Sequence, residues 1–82
     1  MRNVVESAGL VPRGTDVWGT SPTRSHEVLV MREGNRWVAW AGYYHPSHNR
    51  GRTPMREWVL YIGPNVRRAV EAATKFAGRF AK

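Results

Sequence analysis

The residues with most chemistry to offer lie in one stretch, His45-Pro-Ser-His-Asn-Arg-Gly-Arg-Thr-Pro-Met-Arg56, which holds three arginines, two histidines and no acid. A guanidinium presents a planar fork of donors that matches phosphate oxygens, guanine edges and carboxylates. Arg50, Arg52 and Arg56 are therefore candidate nucleic-acid contacts, joined upstream by Arg24, Arg32 and Arg36, with Trp37 as an aromatic surface beside them. His45 and His48 have the His-x-x-His spacing of metal ligands. Pro46 sits between them in a loop, no third ligand is adjacent and cysteine is absent, so they read as solvated histidines. No metal and no cofactor are expected. No Gly-rich phosphate loop, carboxylate pair or nucleophile elbow occurs, and the chain is expected not to be an enzyme.

The charge balance points to the same partners. The formal net charge is +7 at pH 7, carried by eleven arginines and two lysines against six acids. Residues 24–62 hold six cations and three acids, and residues 63–82 hold five cations and one acid. The first 23 residues are neutral. Charge of this kind gives salt-dependent, sequence-blind attraction to phosphates. It equally suits an acidic protein surface, and a G- and C-rich genome yields the same preference for arginine.

An 82-residue chain makes one domain. It buries only a little over ~60% of its unfolded surface, so the core is thin. Without cysteine there are no disulfides to compensate, and a reducing compartment is the natural reading. No apolar run approaches the roughly 20 residues of a membrane span. No secretory h-region follows Met1-Arg2-Asn3. A cytoplasmic protein with no membrane partner is expected.

The elements that must position the arginines are legible from the C-terminal end. Trp58-Val-Leu-Tyr-Ile62 is a strand, stopped by Gly63-Pro64-Asn65. From Val66 the apolar residues fall at 66, 69, 70, 73, 76, 77 and 80, the stripe of one helix face, with Asn65 or Pro64 at its start. Its outer face carries Arg67, Arg68, Glu71, Lys75, Arg79 and Lys82, a basic back where phosphate could dock, with a plain solvated face as the preferred reading for Lys75 and Lys82. Upstream, His26–Arg32 and Arg36–Tyr44 are strands joined by a tight turn at Gly34-Asn35. That turn pairs Glu33 with Arg36, Arg32 with Trp37, Met31 with Val38, Val30 with Ala39, Leu29 with Trp40 and Val28 with Ala41.

Two faces result. Volume assigns Leu29, Met31, Val38, Trp40 and Tyr44 to the core, with Trp58, Leu60 and Ile62. Arg32, Trp37, Ala39, Ala41, Tyr43, Val59 and Tyr61 would then face away from the helix. A one-residue slip would exchange the two sets. Residues 1–25 show no sustained periodicity and read as a partly disordered arm, from which Val4-Val5 can add an edge strand and Trp18 packs onto the domain. Leu10-Val-Pro-Arg-Gly14 matches the thrombin cleavage sequence of expression vectors. If it is a vector scar, the native chain starts near Thr15. A mobile arm would be cut after Arg13, and a docked one would resist.

The expected architecture over residues 26–82 is thus α+β: a three-stranded antiparallel sheet with one C-terminal helix on one face (βββα), preceded by a flexible N-terminal arm. This order resembles the AP2 (ethylene-response) DNA-binding domain of plants, and is similar to the arm-site-binding domains of tyrosine integrases from phages and conjugative transposons. The matching residues are Trp37-Val-Ala39, Arg50-Gly51-Arg52, Tyr61-Ile62-Gly63 and Arg68-Ala-Val-Glu-Ala-Ala73, over about residues 26–80. The resemblance implies a sheet face laid in the major groove, with Arg32, Arg36, Trp37, Arg50, Arg52 and Arg56 as contacts. It departs from those families in the longer loop before the third strand, in the helix start Pro-Asn-Val-Arg-Arg-Ala, and in Ala39 and Ala41, where longer polar contacts would sit. The expected function is non-enzymatic regulation of transcription or recombination through nucleic acid, DNA before RNA, in a phage or mobile element. The alternative is a regulator that binds a host protein, such as RNA polymerase or a nuclease, through its aromatic and arginine surface.

Overall fold

In the computed structural model, which describes residues 2–20, 26–44 and 54–79, the chain folds as an antiparallel sheet with one long helix across it. The elements in order are α1 (Arg2–Glu6), β1 (Val11–Gly14), β2 (Val17–Gly19), β3 (His26–Glu33), β4 (Arg36–Tyr43), β5 (Arg56–Gly63) and α2 (Val66–Gly78). The sheet has five strands in sequential order, β1-β2-β3-β4-β5. No described helix is long and apolar enough to cross a membrane.

The expectation of a three-stranded sheet with a flexible arm is corrected here. Residues 11–19 form a short hairpin that extends the sheet along β3, pairing Val17 with Met31, Trp18 with Val30 and Gly19 with Leu29. These strands lack a readable alternation because they are only four and three residues long and contain Pro12, Gly14 and Gly19. Proline is tolerated there because β1 is an edge strand. The turn between them places Asp16 at φ 55°, a left-handed conformation that aspartate adopts more readily than most residues. Val4 and Val5 lie in α1 rather than in an edge strand, and Val5 and Leu10 are buried in the core.

The β3–β4 hairpin has the expected register, from Glu33 opposite Arg36 to Val28 opposite Ala41. Gly34 takes φ 62° and Asn35 stays at negative φ, as a type II′ turn requires. The buried face, however, is the opposite one to that assigned by volume. Val28, Val30, Trp37, Ala39 and Ala41 are buried under α2, whose inner stripe is Val66, Ala69, Val70 and Ala73. The reason is fit. Ala69 and Ala73 let the helix approach closely, and only the face with Ala39 and Ala41 at its centre accepts that approach. The large side chains Leu29, Met31, Val38 and Trp40 therefore lie on the other side, where Val38 is buried as expected and the other three are half-buried.

Trp37 is 4% exposed and packs on Trp18, their ring centroids 5.8 Å apart. Trp18 Nε1 donates to Glu6 Oε2 at 3.3 Å, which ties α1 to the hairpin. On β5 the register shifts by one residue: Ala39 pairs with Tyr61 and Trp40 with Val59, leaving Leu60 as the extra residue of a bulge. Trp58, Leu60 and Tyr61 consequently all pack toward the core, whereas Ile62, expected inside, is 51% exposed. Asn65 caps α2, its side chain accepting from the Arg68 backbone N–H at 3.2 Å.

Candidate nucleic-acid interface

Of the seven residues expected to contact nucleic acid, the four that the structure describes are not gathered in one place. Arg24, Arg50 and Arg52 lie outside the described residues, as do His45 and His48. Arg32, the last residue but one of β3, lies on the helix side, its Nε donating to the Gly34 carbonyl at 3.4 Å. Arg36 is on the opposite face and donates to Glu33 at 3.3 Å. Trp37 is buried, so its ring offers no surface. Its closest partner is Trp18, in the region read as an arm. Arg56 opens β5 opposite Tyr43, its guanidinium carbon 6.0 Å from the Trp58 ring centroid.

A different constellation comes together around Arg56. Along α2, Arg68, Ala72, Lys75, Phe76 and Arg79 recur at helical spacing and form one stripe beside the sheet. That stripe faces β5, the edge strand opposite β1, and the two enclose adjoining hollows of about 480 and 410 Å³. The first is lined by Tyr61, Arg68, Glu71, Ala72 and Lys75. The second is lined by Trp58, Leu60, Ala72, Lys75, Phe76 and Arg79. Shared lining by Ala72 and Lys75 makes them one groove.

The floor of the groove is aromatic and its walls are cationic. Trp58 and Phe76 meet with centroids 5.4 Å apart at 46°. Tyr61 is held by its hydroxyl, which accepts from the Asn65 backbone N–H at 3.1 Å. All three rings are only partly buried, and Arg56, Arg68, Lys75 and Arg79 are exposed around them. Among the described residues three cations, Arg68, Lys75 and Arg79, thus line the groove against one acid, Glu71, and Arg56 stands beside the Trp58 ring. Cations near rings in this way attract π-faces as well as phosphates.

Sequence reasoning missed this groove for one reason. The bulge at Leu60 brings Tyr61 to the helix side beside Trp58, and no residue at that position announces a bulge. The available signals were the Arg56-x-Trp58 spacing, which puts both on one strand face, and the 68/72/75/79 stripe on α2. Among the described residues no group of three or more metal-ligating side chains is clustered. No family model matches the chain, and neither a curated protein nor a solved structure matches it.

Proposed function

We propose that this chain is a small non-enzymatic nucleic-acid-binding protein whose groove between β5 and α2 takes single-stranded DNA. Bases stack against the exposed parts of Trp58, Tyr61 and Phe76, and the phosphates follow Arg56, Arg68, Lys75 and Arg79. The observation that supports this reading is the interleaving of three cations, Arg68, Lys75 and Arg79, with three half-buried rings along one groove of a +7 chain, with Arg56 near the Trp58 ring at 6.0 Å. Stacking platforms lined by basic residues bind single strands with little sequence preference. In this reading the protein acts in the cytoplasm as a regulator of transcription or recombination. Fluorescence anisotropy with a labelled single-stranded oligonucleotide tests it across a salt series. Affinity should fall linearly on log–log axes as salt rises, and no binding at about 50 mM salt would sink the proposal.

A further inference from the structure

The face of the sheet turned away from α2 has no cover among the described residues, and it is apolar. An antiparallel sheet with one solvated face normally turns polar residues to the water. Here Leu29, Met31 and Trp40, half-buried, run through the central strands on that side around the buried Val38, followed by Val59 and Ile62 on β5, 60% and 51% exposed. The surface is also low in relief. Trp40 lies across Gly42, leaving no room for a Cβ there, and its Nε1 donates to Glu57 at 3.0 Å. Leu29 covers Gly19 in the same way.

Charge separates this face from the rest of the molecule. The chain carries +7, yet among the described residues the face holds two cations, Arg13 and Arg36, and three acids, Glu27, Glu33 and Glu57. Each is already engaged within the face: Arg13 with Glu27 at 2.8 Å, Arg36 with Glu33 at 3.3 Å, and Glu57 with Trp40. A polyanion finds no free cation among these groups. A second copy of the same patch meets only the weak repulsion of one uncompensated carboxylate, Glu57, on each side.

We propose that this face is the interface of a symmetric homodimer in which two copies pack sheet on sheet. Such sheets stack about 10 Å apart with strand directions within about 30° of each other. Strands spaced about 4.8 Å apart, the central ones about 26 Å long, give a face of roughly 500 Å² once the short β1 and β2 are allowed for. Two copies then bury roughly 1,000 Å², the low end for a specific interface, so the dimer is reversible in the micromolar range. The isologous contact leaves α2 and its groove on the outside of each copy. The inference is independent of the nucleic-acid reading, since its test contains no nucleic acid.

Sedimentation equilibrium of the full chain from about 5 to about 500 µM should show the mass rising toward twice 9.4 kDa. Val59→Lys and Ile62→Lys, at exposed positions, should each hold the chain at the monomer mass with an unchanged far-UV spectrum. A wild-type chain that stays monomeric throughout that range overturns the proposal. So does a dimer that persists undiminished in both variants. Should either variant fail to fold, the wild-type dilution series, in which the summed emission of the four tryptophans shifts to the red on dissociation as Trp40 is uncovered, decides alone.

Discussion

Trp58 on the edge strand β5 and Phe76 on the long helix stand 5.4 Å apart, ring centroid to ring centroid. That contact joins the sheet edge to the helix and leaves part of each ring in solvent. A groove whose floor is built this way is held in shape by the same contacts that fold the domain. Its cations, by contrast, are exposed and contribute little to stability. Folding and binding can therefore be separated by mutation.

The core makes the first separation. Ala39 and Ala73 are completely buried where the helix comes closest to the sheet. Ala39→Leu should overpack that contact and cost about 1–3 kcal/mol in urea unfolding. Trp37→Ala removes a buried ring from the Trp18 stack and should cost about 3–5 kcal/mol, a large share of the total stability of so small a domain. Arg32→Ala and Arg36→Ala should stay within about 0.5 kcal/mol of the parent. A Trp37→Ala chain of unchanged stability would contradict the assignment of this face to the core.

How much of this could be read beforehand depends on the element. The β3–β4 register followed from Gly34-Asn35 alone, because a two-residue turn leaves no freedom in the pairing. The α2 stripe and the Asn65 cap were equally plain, since helical spacing and capping chemistry are local. The choice of buried face was not local. It turned on the closeness of approach that Ala69 and Ala73 allow, which side-chain volume does not measure. β1 and β2 were hidden by Pro12 and four glycine-or-turn positions in nine residues, and Tyr61 by a bulge with no sequence mark. The groove needs both the bulge and the helix, so it was out of reach until the elements were assembled.

Protease susceptibility probes the N-terminal hairpin. The Leu10–Gly14 stretch matches a thrombin site, yet Leu10 is buried and Arg13 donates to Glu27 at 2.8 Å and to the Thr20 carbonyl at 3.0 Å. Cleavage requires β1 to leave the sheet. The native chain should resist thrombin and be cut after Arg13 only as denaturant is added, followed by mass spectrometry. Rapid cleavage in native buffer would contradict the docking of β1.

Tyr44 gives a pH dependence. Burial pushes its phenol above the ordinary value, and Glu27, accepting its hydroxyl at 3.1 Å, pushes it further. The folded chain thus holds this proton more tightly than the unfolded one. The associated stability is complete below the unfolded pKa of about 10 and is lost as pH rises through the folded value. Urea midpoints measured above pH about 9 should decline with pH, and Tyr44→Phe should make the decline shallower. Parallel declines in the two proteins would show that Tyr44 does not contribute.

The most direct test of the groove is the salt dependence of single-stranded DNA binding in the parent and in a chain with Arg56, Arg68, Lys75 and Arg79 all replaced by alanine. Four phosphate contacts predict a log–log slope of about −3 for the parent, and the substituted chain should lose most of both slope and affinity. Its thermal midpoint should barely move, because all four side chains are exposed. An unchanged slope and affinity in the substituted chain would contradict the account.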